Sequence, residues 1–170
     1  MAAAFLTAEL AAAGVSGVIA SAGTDGPPGL PASAASIEVM EEVGIDLMGH
    51  RSRVIDVADI DQADLVLVMT GAHEQRVASR SGQAVGHIFG LGEFARLLDA
   101  AQPMAEAGPW ELDRFLRTIS SRSSRPSRTG LAAADEIDDP YGGSTDRYRL
   151  TRDRLSHEAE VIAAAMATHV

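Results

Sequence analysis

The 170-residue chain contains no cysteine. That excludes a disulfide framework, a thiolate metal site and, within these residues, any cysteine nucleophile. It contains no lysine either, since all fourteen basic residues are arginine. With its many alanines and glycines, this reads as a GC-rich coding bias and carries no chemistry of its own. Positive charge is in deficit, the formal net charge being −10. A nucleic-acid partner, which needs a basic face, is therefore not expected, and neither is a polybasic membrane contact. No apolar run reaches the roughly 18 residues of a membrane span. The apolar stretch Met1 to Ala22 ends in small residues, as a secretory leader does. It has no basic start, however, and Glu9 interrupts it, so a cytoplasmic protein is expected.

What is present suffices for one domain. Hydrophobic residues make up 46% of the chain, enough for a core at this length. Ala2 to Ala13 reads as a helix, with Leu6 and Leu10 on one face and Gly14 as its stop. Gly17 to Ser21 reads as a short strand turning at Gly23. Asp25 to Pro31 is a Gly/Pro loop, and a helix follows from about Ala32 to Val43. Ala63 to Met69 is nearly all apolar, as a parallel strand covered on both faces should be. A short helix over Ala72 to Ser79 and a strand over Ala84 to Phe89 follow. Phe94, Leu97 and Leu98 mark another helix, and the spacing of Leu112, Phe115, Leu116 and Ile119 marks an amphipathic one. Ser120 to Gly130 reads as an exposed loop. Thr145 to Thr168 is a long helix whose stripe is Tyr148, Leu155, Ile162 and Met166. Strands alternating with helices predict an α/β parallel sheet.

Five short motifs occur in order: Ser21-Ala22-Gly23-Thr24, Gly44-Ile45-Asp46-Leu47 with Gly49-His50-Arg51, Ala63 to Met69, Leu91-Gly92-Glu93-Phe94, and Asp139-Pro140-Tyr141-Gly142-Gly143-Ser144. Each is weak alone. Together they resemble the low-molecular-weight protein-tyrosine phosphatases over nearly the whole chain. The segment Ala101 to Glu136 is longer than the resemblance leads one to expect and matches no known role.

The resemblance implies a four-stranded parallel sheet in order 2-1-3-4, with helices on both faces and the site at the C-terminal strand ends. It implies hydrolysis of phosphotyrosine in a protein substrate through a phosphocysteine intermediate, with no metal or organic cofactor. In the family a first strand enters a loop of pattern Cys-x5-Arg-Ser-Pro, which cradles the phosphate. Here Met1 to Leu6 matches the stretch just after that loop. The expectation is therefore a truncated single domain, residues 1–170, whose first, central strand and nucleophile are missing. An open slot is expected where that strand belongs, and the chain is expected to be inactive unless its true start lies upstream.

Among the residues present, the resemblance makes Asp139 the acid for the leaving phenolate and then the base for water. Read locally, an Asp before Pro is an Asx-type turn feeding the last helix. Tyr141 would flank the site mouth and pack on the substrate ring; read locally, it is a partly buried tyrosine. Ser21 matches the serine that orients the phosphate-binding loop; read locally, it is a strand-end serine bonded to its own backbone. Leu30 is the apolar candidate of the Gly/Pro loop. His50 and His73 lack ligand spacing, and His50 with Arg51 reads as a loop pin. Arg122, Arg125 and Arg128 read as a solvated loop. Two alternatives stay open. One is a non-enzymatic pseudophosphatase that binds phosphorylated protein. The other is an arsenate reductase-like protein, which would need resolving cysteines that the chain does not have.

Overall fold

The computed structural model describes residues 1–81, 87–100, 112–122 and 130–168. Its elements are α1 (Ala2–Ala12), α2 (Ala34–Glu41), α3 (Val57–Gln62), β1 (Val66–Val68), α4 (Gly71–Arg80), β2 (Ile88–Gly90), α5 (Leu91–Asp99), α6 (Leu112–Arg122) and α7 (Thr145–Ala167). Several helices start on a capping side chain. Ser33 Oγ accepts from the Ser36 amide, Thr70 Oγ1 from His73 and Ser144 Oγ from Arg147. Asp56 and Asp59 form a reciprocal capping box on α3. Such caps satisfy amides that have no partner inside the helix.

β1 and β2 pair in parallel, Val66 opposite Ile88, Leu67 opposite Phe89 and Val68 opposite Gly90. The α4 crossover between them is what a parallel pair requires. Side chains alternate across the sheet. Val68 and Ile88 pack with Ile60 of α3 and Val77 of α4 on one face. Phe89 packs on the other face with residues of α1, α2, α5 and α7, and Leu67 lies against that larger core. Phe5, Leu6, Leu10, Val39, Met40, Phe94, Leu155 and Ile162 are buried there. Full burial of such a side chain contributes roughly 1.5–3 kcal/mol. The fold is thus the α/β arrangement with helices on both faces that the sequence predicts.

Several expectations change in detail. Gly17 to Ser21 forms no strand, and Val18 within it is 99% exposed. A strand is made by its neighbour, and no described segment pairs with this one. The chain pairs only past it, through a single parallel bridge between Gly23 and Val54. Nor does β1 close onto this segment, because among the described residues its only ladder is with β2. Among the described residues no strand pairing closes the expected slot. The Ala63 to Met69 strand shrinks to three residues, and Val66 and Leu67 are only half-buried, with no described segment pairing on the second flank of β1. The expected strand over Ala84 to Phe89 is shifted: β2 is Ile88–Gly90, and residues 82–86 lie outside the described ones. α3 was not expected; it holds one buried residue, Ile60, too little for a periodic signal. Ser120, Ser121 and Arg122 end α6 and do not open a loop; Arg125 and Arg128 lie outside the described residues.

Candidate active site

The candidate acid sits on the segment joining Gly130 to α7. Asp139 is exposed, and its Oδ1 accepts from the Tyr141 amide at 2.9 Å. That is the Asx turn of the local reading, and it leaves the second carboxylate oxygen free to act. Pro140 is buried, and its carbonyl accepts from Gly143 N–H at 2.8 Å. Tyr141 is 78% exposed, not partly buried as its local reading expects, so its ring is available to a ligand.

The residues just before this turn are held tightly. Ile137 is buried, and its amide donates to Met69 O at 2.8 Å, one residue past the end of β1. Glu136 Oε1 accepts from the amide of Gly71, the first residue of α4, at 2.9 Å. Asp135, nearly fully buried, accepts from Arg96 Nε at 2.9 Å and Nη2 at 2.8 Å. The pairing raises the Arg96 pKa further above its ordinary value, chiefly through the Asp135 hydrogen bonds. Arg154 of α7 donates to the carbonyls of Glu136 at 2.6 Å and Ala134 at 2.7 Å. A Cβ on Gly92 would meet Asp135 O at 2.7 Å, so α5 approaches this segment as closely as only glycine permits.

Ser21 lies on the other side of the open slot in sequence order. It is exposed, and its main-chain carbonyl accepts from Arg53 Nε at 3.0 Å, a contact from another segment. The backbone locks just beyond it: Gly23 N–H donates to Arg53 O at 2.8 Å and Ile55 N–H to Gly23 O at 2.9 Å. Arg80 Nη2 then donates to Thr24 O at 2.8 Å. No hydrogen bond or ion pair among the described residues joins Ser21 to the Asp139 turn. Leu30 is exposed on its loop. Arg51 does pin its own loop, donating to Met48 O at 3.0 Å and His50 O at 2.6 Å. Sequence reasoning missed Arg96, Asp135, Glu136 and Arg154. Arg96 and Asp135 are 39 positions apart, and Arg154 and Glu136 are 18 apart, so no short-range pattern links them.

The arrangement offers the exposed carboxylates of Asp138 and Asp139 near the exposed phenol of Tyr141, past the C-terminal end of a parallel strand, where open α/β sheets bind ligands. Comparison with known proteins gives it a context. A family model described as low molecular weight phosphotyrosine protein phosphatase matches residues 1–122. A probable low molecular weight protein-tyrosine-phosphatase, EpsP, of Ralstonia nicotianae is 40% identical over 85 residues, covering 50% of this chain and 58% of that protein. The chain thus spans little more than half the length of this relative. A protein-arginine-phosphatase of Bacillus subtilis is 28% identical over 137 residues, covering 81% of this chain and 67% of the relative. The solved low molecular weight protein tyrosine phosphatase from T. tengcongensis superposes with a TM-score of 0.68 at 26% identity, covering 95% of this chain and 86% of that one.

Proposed function

Because the chain belongs to the low molecular weight phosphotyrosine protein phosphatase family, we propose that it forms most of a hydrolase acting on phosphotyrosine in protein substrates. In this reading a cysteine thiolate attacks phosphorus, and the P–O bond to the tyrosine breaks. Asp139 gives its proton to the departing phenolate. The Asp139 carboxylate then takes a proton from water as the water oxygen attacks the phosphocysteine, releasing phosphate and restoring the thiolate. Tyr141 packs against the substrate ring, and Ser21 orients the phosphate-binding loop. A thiolate nucleophile needs a reducing compartment, which favours the cytoplasm. The cysteine and its loop are not among residues 1–170, so these residues alone are inactive and act only when a strand and loop precede them.

The observation that carries this reading is the Ile137–Met69 hydrogen bond, which sets the Asp139-Pro140-Tyr141 turn just past the end of β1. The test is turnover of p-nitrophenyl phosphate. The 170-residue protein should match the no-enzyme blank. The same chain extended at its N-terminus by a strand and cysteine loop should turn over, and Asp139→Asn should then cut the rate by roughly 10²–10⁴-fold. Turnover by the unextended chain would remove the cysteine from the mechanism.

A second substrate reading has an observation of its own. The arginine phosphatase of Bacillus subtilis aligns with 81% of this chain, against 50% for the tyrosine-phosphatase relative. Phosphoarginine presents the same phosphoryl group on nitrogen, and Asp139 would protonate the leaving guanidine side. Parallel assays of a phosphotyrosine peptide and a phosphoarginine peptide with the extended chain separate the two by kcat/KM.

A further inference from the structure

Residues 134–137 are held by α4, α5, α7 and the end of β1, and one side chain makes two of those contacts. Arg154 places Nη1 on Glu136 O at 2.6 Å and Nη2 on Ala134 O at 2.7 Å. A guanidinium is a rigid planar fork, so two bonds to alternate carbonyls fix the intervening peptide planes as well as their distance from α7. Glu136 is thereby gripped at both ends, by Arg154 through its carbonyl and by Gly71 N–H through its carboxylate. Ile137 follows, anchored on Met69 O, and Asp139 comes two residues later.

We propose that Arg154 is a positioning residue for the Asp139 turn: its two-carbonyl grip sets where the Asp139 carboxylate stands relative to the sheet end. This rests on the reading of Asp139 as the general acid. Proton transfer demands a heavy-atom approach of about 2.6–3.2 Å, and a misplacement of about 1 Å commonly costs about 10²-fold in rate. Arg96 supports the same segment from α5, but it holds only the Asp135 side chain; Arg154 holds the main chain itself.

The test uses the chain extended at its N-terminus by a strand and cysteine loop, as above, and two substrates. Phenyl phosphate has a poor leaving group and depends on the acid; p-nitrophenyl phosphate depends on it less. Arg154→Gln should lower kcat on phenyl phosphate by about 10–100-fold, lower it much less on p-nitrophenyl phosphate, and leave KM unchanged. Arg154→Lys, with its single point charge, should recover only part of the loss. Arg149→Gln, which removes a charge from the same helix without touching the segment, should leave the ratio of the two substrates unaltered. Asp139→Asn should shift that ratio in the same direction as Arg154→Gln. If Asp139→Asn does not shift it, the reading of Asp139 fails. If Asp139→Asn shifts it but Arg154→Gln slows both substrates equally, Arg154 is structural only and the proposal falls. Independently of activity, Arg154→Gln in the 170-residue protein should speed hydrogen exchange at the Ile137 amide relative to amides of α1. Unchanged relative exchange there would also overturn the proposal.

Discussion

At the scale of single residues, the turn at Asp139 is legible in the sequence and the contacts that hold its segment are not. An Asp followed by Pro and Tyr is a local pattern, and the exposed Asx turn at Asp139 matches it. Arg96 and Arg154 carry no such mark, because each matters only through a segment distant in sequence, and the motif that holds Gly92 does not show what that glycine packs against. Gly92 shows how narrow that fit is. A Cβ there would meet Asp135 O at 2.7 Å and Arg154 Nη2 at 3.0 Å, and Asp135 O belongs to main chain that is held from several sides. Gly92→Ala should therefore cost about 1–3 kcal/mol through overpacking, read as a lowered urea midpoint. An unchanged midpoint would mean that the 130–144 segment yields easily, and would weaken the case that it is rigid enough to place an acid.

At the scale of elements, the helices with a clear apolar stripe were readable and the pairing of strands was not. The apolar positions Leu6 and Leu10 of α1, and Tyr148, Leu155 and Ile162 of α7, are buried as their spacing predicts, while Met166 at the end of the stripe is half-buried. Whether an extended run becomes a strand depends on a partner elsewhere, and that is why Gly17 to Ser21 reads as one and does not form one. The tie between α2 and α7 was equally silent in the sequence. Glu42, capping α2, accepts from Arg149 Nε and Nη2 and from Arg152 Nη1, at 2.6–3.1 Å. These hydrogen bonds, Arg149 first and Arg152 second, lower the Glu42 pKa from 4.5 to about 2. The folded value lies below the unfolded one, so the tie stabilises fully above about pH 4.5 and fades as pH falls through about 2. The gap in urea midpoint between the parent chain and Glu42→Gln should hold steady near neutrality, shrink across that window and vanish at its lower end. A gap independent of pH would show that the effect comes from packing and not from the carboxylate.

At the scale of the whole molecule, the defining feature is a sheet in which no described segment pairs with the second flank of β1. Val66 N–H is committed to β2 through His87 O at 2.9 Å. Neighbouring residues of a parallel strand direct their amides to opposite edges, so Leu67 N–H faces the open flank. In the 170-residue protein the Leu67 amide should exchange at least about tenfold faster than that of Val66, since local opening is least costly where backbone bonds are absent. Equal protection would mean that something occupies the flank in solution. The companion segment on the far side of the slot meets a different fate. Around Val18 the chain is exposed and pairs with no described strand, so a protease can reach it. Exposed segments of this kind are where nicking concentrates. A cut there would part α1 from the rest of the polypeptide while leaving the α1 and α7 surfaces packed together, so the first product of digestion would be a nicked complex and not a pair of free fragments.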